Sequence, residues 1–241
     1  MAGELPPAEI PALRRQLAQQ FPAGEPTMNR ELTRLLVYLQ ESSILDRYLA
    51  YLKSNASEAD KLHVAMHLRF LESGWTAKDR LALLEYYEQA NQRKGGASYA
   101  RYVINATRDF CKGLSEEESR QVLAKGDKWP NAALGALYKL PQQLDAELLA
   151  QLIELDGKLA KLEGDSIQRL QVGIVAVLAR SGDDESQAYL RKIWEASPER
   201  RQAAALGLAQ KPTGENWVYL VRSLPVLEPA AAAQICAKVT D

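Results

Sequence analysis

The apolar residues of this chain recur at helical spacing along most of its length. Leu81, Leu84, Tyr87 and Ala90 follow one another at steps of three; Tyr99, Tyr102, Val103, Ala106 and Phe110 run 3-1-3-4; Ile167, Leu170, Ile174, Val177 and Leu178 run 3-4-3-1. Each set gathers its bulk on one side of a 3.6-residue turn, which predicts amphipathic helices. Sustained apolar/polar alternation is hard to find, and β-branched runs are short. Val172 to Ala179 has the composition of a buried strand, but its place inside a longer helical period makes it helix.

The polar residues punctuate this pattern. Ser57-x-x-Asp60, Thr76-x-x-Asp79 and Ser115-x-x-Glu118 each set a capping oxygen before an apolar-periodic stretch, with an acid one turn on. Pro130 and Pro198 read as first-turn prolines. Gly74, Gly113, Gly126 and Gly182 fall where helices should stop. The count comes to about fourteen helices joined by short polar turns, as antiparallel neighbours require. The Pro-rich lead, 1–26, holds one helix among its least regular parts, including Pro6 to Pro11 and Phe21 to Pro26; residues 27–241 form the regular array.

Aligning the helices on a small residue amid apolar ones gives Ala65, Ala100, Gly135, Gly173 and Gly207, at steps of 35, 35, 38 and 34. A period in the thirties with two helices per unit is the signature of stacked repeats. The expected fold is therefore all-α, a HEAT-like α-solenoid of about seven antiparallel helical hairpins. A glycine inside a helix costs about 1 kcal/mol relative to alanine, so Gly135, Gly173 and Gly207 imply close approach of a neighbouring helix. Such units bury their second face only against the next unit. The final helix, Glu228 to Val239, lacks the polar side of a terminal cap, so the native chain is expected to continue past Asp241.

Composition narrows the function. The net charge of -1 and pI near 6.2 give no global field for nucleic acid or an anionic membrane. No apolar run is long enough for a membrane span, and Met1 to Pro7 has neither the basic nor the apolar region of an export signal. Cys111 and Cys236, far apart and among apolar neighbours, are expected to be buried thiols rather than a disulfide.

Candidate chemistry is sparse. His63 and His67 share a helix face with Asp60 one turn earlier, but Val64 stands where a zinc helix of the His-Glu-x-x-His type needs glutamate; packing histidines are expected, and no metal. Gly95, Gly96 and Ser98 open a helix and could cradle an anion, or form a tight inter-helix turn with Ser98 as N-cap. Arg101, Asn105, Arg108 and Lys112, spaced 4-3-4, make a polar stripe on that helix, the best candidate interaction surface. Trp75, Trp129, Trp194 and Trp217 read as core or inter-repeat anchors. No Ser/His/Asp or Cys/His order and no marked carboxylate pair suggests a catalyst.

Three stretches resemble a segment of large multidomain proteins of planctomycetes and related bacteria. They are Phe21-Pro22 through Leu39-Gln40, then His63 with Gly74-Trp75-Thr76, then Gly95-Gly96-Ala97-Ser98-Tyr99 with Asn105 and Arg108-Asp109. Those proteins join HEAT-like repeats to a c-type cytochrome domain. The usual histidine after Gly-Gly is Ala97 here, and the haem motif Cys-x-x-Cys-His is absent, so no covalent haem and no other cofactor is expected. The resemblance implies an exported, periplasmic setting. Together these readings favour a non-catalytic scaffold that holds a protein partner or positions flanking domains. A nucleic-acid enzyme of the HEAT-repeat glycosylase type is the alternative, and a helical-repeat lyase a third.

Overall fold

The computed structural model describes residues 11–96 and 98–240; Ala97 and the lead up to residue 10, with Pro6 and Pro7, lie outside the described residues. The chain is all-α, with fourteen α-helices and no strand among the described residues. By contact it divides into two compact units, the first ending at Leu114 and the second beginning at Ser115.

The first unit contains α1 (Pro11–Gln19), α2 (Pro26–Tyr38), α3 (Leu45–Leu52), α4 (Glu58–Leu68), α5 (Ala77–Asn91) and α6 (Tyr99–Cys111). The capping signals act as the sequence suggests. Thr76 and Asp79 form a reciprocal box: the Asp79 N–H donates to Thr76 Oγ1 at 3.3 Å, and the Thr76 N–H donates to the Asp79 carboxylate at 3.1 Å. Asp60 departs from that pattern. Its N–H donates to Ser57 Oγ and one of its carboxylate oxygens accepts from the Ser57 hydroxyl, while the other accepts from Arg30 Nε of α2 at 2.8 Å.

α2 and α4 run the same way. Arg30 and Asp60 join their first turns, and Gln40 joins their ends, donating to the Phe70 carbonyl at 2.9 Å and accepting from the Glu72 N–H at 2.9 Å. Gln40 holds φ +53°, uncommon for a side chain other than glycine, and its paired bonds show what fixes it there. α3 packs on α4 and α5, and α5 on α6. The core between them holds Leu36, Tyr48, Leu68, Leu84, Tyr87 and Phe110, and Trp75 meets Phe110 edge-on at 4.8 Å.

The second unit contains α7 (Glu116–Leu123), α8 (Pro130–Ala136), α9 (Ala146–Leu159), α10 (Asp165–Ser181), α11 (Asp184–Ala196), α12 (Arg201–Leu208), α13 (Glu215–Ser223) and α14 (Pro229–Thr240). α7 opens with a second reciprocal box between Ser115 and Glu118, at 3.1 and 2.8 Å. α10 closes on Gly182 at φ +68°, the left-handed cap that glycine adopts without a Cβ clash. Pro130 is the first-turn proline expected, whereas Pro198 opens a 3-10 turn, Pro198–Arg200, that leads into α12. Even-numbered helices touch the next even-numbered ones, α8 on α10 on α12 on α14, while α7 packs on α9 and α11 on α13. Asn216 donates to Gln187 at 2.8 Å at the start of α13 and α11, and Trp194 donates to Ser223 at 2.7 Å at their ends, so these two also run the same way.

The glycine inference holds at two positions. A β-carbon on Gly173 would lie 2.8 Å from methyls of Leu134 and Leu137, and one on Gly207 would lie 3.1 Å from Ala179 Cβ and Leu190 Cδ1. Neighbouring helices come close at both. The alignment fails at Ala100, which is exposed: α6 turns Val103, Ala106 and Phe110 inward instead, because those bulkier residues set its buried face. Two further expectations are corrected. Cys111 is buried but Cys236 is exposed, since α14 buries only Ala231 and Ile235 of its described side chains. Trp217 is 47% exposed on α13, so it is no core anchor, unlike Trp129 and Trp194. Val172 to Ala179 is helix throughout, as its place inside a longer helical period implies.

Candidate functional site

α10 carries Val172, Gly173, Ala176, Ala179 and Arg180 at helical spacing on one side, and α12 carries Ala203, Leu206 and Gly207, with Gln210 in the turn after it. Where these sides meet, small residues leave the two helices without bulk between them. A groove of about 720 Å³ opens there, walled by Val172 and Leu206 and floored by Ala176, Ala179 and Gly207. A second hollow, of about 180 Å³, continues it toward α8 between Leu137, Tyr138 and Gly173, and shares Ala176 and Arg180 with the first. Tyr138 is 72% exposed, so its ring stands at the edge of this surface.

Among the described residues, Arg180 is the one charged residue lining either hollow. Its guanidinium donates to the carbonyls of Leu140 at 2.9 Å and Pro141 at 3.2 Å, which fixes its position, and no carboxylate pairs with it among the described residues. An arginine stays protonated at any physiological pH and offers directional donors to a carboxylate. The arrangement can hold an apolar body with an anionic end.

The stripe on α6 is only partly available. Arg101 and Arg108 are exposed and Asn105 is half-buried, on the side opposite Val103, Ala106 and Phe110. Lys112 is engaged by Asp109 at 2.8 Å, and Asp109 also lies 3.8 Å from Arg69, the C-cap of α4. That carboxylate is held below its ordinary range chiefly by the Lys112 hydrogen bond.

The Gly-Gly turn serves packing. A β-carbon on Gly95 would collide with Cβ and Cγ of Tyr99, whose hydroxyl donates to the Ala90 carbonyl at 3.1 Å, and the Tyr99 N–H donates to the Gly96 carbonyl at 2.9 Å. Ser98 occupies the N-cap position of α6 without a side-chain cap bond, because its backbone is already helical, at φ -94° and ψ -7°. The tyrosine ring fills the space over Gly95 that an anion would take.

His63 and His67 stack at 4.2 Å between ring centres. His63 Nε2–H donates to the Arg30 carbonyl at 3.2 Å and His67 Nδ1–H to the His63 carbonyl at 2.8 Å, so both are used in packing. Burial, followed by the charge of His67, pushes the His63 pKa below its ordinary value.

Reading the sequence for bulk missed the groove. The signal was present in Gly173, Ala176 and Ala179 with Arg180, a helix side without large residues that ends in a charge. Comparisons with protein-family models, with curated proteins and with solved structures find no match for this chain.

Proposed function

We propose that the chain is a non-catalytic scaffold of HEAT-like helical hairpins, and that its α8–α10–α12 groove receives an apolar helical segment of a partner protein with an acidic residue at one end. The groove carries the proposal: two connected apolar hollows floored by small residues, with Arg180 as their one charge. An amphipathic helix binds such a surface through a row of apolar anchors. The acidic end follows from Arg180, which is anchored on carbonyls and has no carboxylate partner among the described residues. The hairpin-stack reading draws support from the like-directed pairs α2 with α4 and α11 with α13, and from even helices packing on even ones. The resemblance carried by the Gly-Trp-Thr and Gly-Gly turns extends the proposal to a scaffold within a larger exported chain.

The test is selection of phage-displayed random peptides against the intact protein, followed by titration of synthetic versions. Binders are expected to be apolar, helix-forming and acidic at one end, and to lose about ten-fold or more in affinity against Ala176→Trp and against Arg180→Glu. Selected peptides that bind both variants as tightly as the wild type would remove the groove from the proposal.

A further inference from the structure

On the other side of α10, between α9, α11 and the 3-10 turn before α12, lies a cavity of about 650 Å³. Its floor is charged and buried. Asp156, 2% exposed, accepts from Arg200 Nη1 at 2.6 Å and from the Tyr189 hydroxyl at 3.0 Å. Arg200, with its side chain 7% exposed, also donates from Nη2 to Ser197 at 3.0 Å. Its Nε–H is buried and has no hydrogen-bond partner among the described residues; the Glu199 carboxylate stands 4.0 Å off. A buried donor left unmade costs about 1–3 kcal/mol, so an acceptor in the cavity would find a donor already desolvated.

Gly157 is the second observation. It sits within α9 on the cavity wall, and a β-carbon there would meet nothing within 4 Å. Helix packing therefore does not require glycine, although glycine disfavours the helix by about 1 kcal/mol. The absent side chain leaves the cavity open beside Asp156. The rim carries both signs: Lys192, exposed and without a carboxylate partner among the described residues, faces the same space as Glu163 and Glu199.

We infer that this cavity binds a small zwitterion, an amino acid or dipeptide, whose carboxylate takes the Arg200 Nε–H and Lys192 and whose ammonium group lies toward Glu199 and Glu163. The acidic rim disfavours polyanions such as nucleotides, and the buried donor requires an acceptor oxygen. Leu162 and Ile193 supply apolar wall for a side chain. The site does not depend on the groove, which lies on a different set of residues.

The experiment measures melting temperature and binding heat for the intact protein with each common amino acid and a set of dipeptides at about 10 mM. Amine-free carboxylates and carboxylate-free amides of the same side chains run in parallel. At least one zwitterion is expected to bind saturably, with its amine-free and carboxylate-free analogues weaker by about ten-fold or more. Arg200 is part of the buried floor and a variant there risks the fold, so the cavity is blocked with Gly157→Leu and its rim reversed with Lys192→Glu. Both should melt near the wild-type temperature and lose the response. No saturable binding by any zwitterion overturns the inference, as does binding that persists in Gly157→Leu.

Discussion

Tyr87 reaches from α5 to α4, where its hydroxyl donates to the Ala65 carbonyl at 2.6 Å with both residues fully buried. Burial pushes the tyrosine hydroxyl far above its ordinary pKa, which keeps it a neutral donor. Tyr87→Phe removes only this bond and should cost about 1–2 kcal/mol, whereas Tyr87→Ala also leaves a cavity beside Phe110 and should cost about 3–5 kcal/mol. Urea unfolding would show the two losses as falls in midpoint at constant slope.

Gly95 and Tyr99 should prove coupled. Gly95→Ala forces the Tyr99 ring away and breaks its bond to the Ala90 carbonyl, so it is expected to destabilise by about 1–3 kcal/mol. In a Tyr99→Ala background the same substitution should cost a few tenths of a kcal/mol, about the scale of a surface change. A double-mutant cycle measures this directly; additive losses would show that the ring does not explain the glycine.

The buried Asp156–Arg200 pair predicts a different pattern. Asp156→Ala strands the arginine charge in the interior and should cost about 3–5 kcal/mol. Replacing both residues by Leu and Met of similar volume should recover most of that loss, because neither charge is then left behind. Stability of Asp156→Ala and of the double variant, measured by denaturant titration, checks it.

Stability should fall in two stages as pH drops. His63 is held below its ordinary 6.5 by burial and by His67. The unfolded chain therefore takes up that proton first, and the stabilisation, complete above 6.5, fades as pH falls through the lower native value. Asp60 and Asp145 lie below their ordinary 3.8, Asp60 chiefly through the Ser57 hydroxyl and Asp145 chiefly through Arg120. Their contribution is present above 3.8 and is lost at lower pH, as each native carboxylate is protonated. Melting temperatures from about pH 8 to about pH 3 should show both steps, and His63→Asn should remove only the upper one.

What could be read from the sequence follows the range of the interaction. The Thr76–Asp79 and Ser115–Glu118 boxes close within one turn, so spacing alone reveals them. Gly173 and Gly207 were legible as close approaches because a mid-helix glycine is costly without one. Ala100 misled because a small residue marks a buried face only where larger neighbours do not set it. Asp156 and Arg200 stand 44 positions apart, on different elements, and no local pattern links them. The groove is a lack of side chains, which a search for bulk passes over, and the Gly95 turn is shaped by a ring four residues on.

Arg180 is tied to the carbonyls of Leu140 and Pro141, in the connector between α8 and α9. The groove's only charge is thus keyed to a segment outside the two helices that form its main walls. Editing that connector would swing the guanidinium to a new position while α10 and α12 kept their sequence. A natural lineage or a protein engineer could retune what the groove prefers by changing a loop alone.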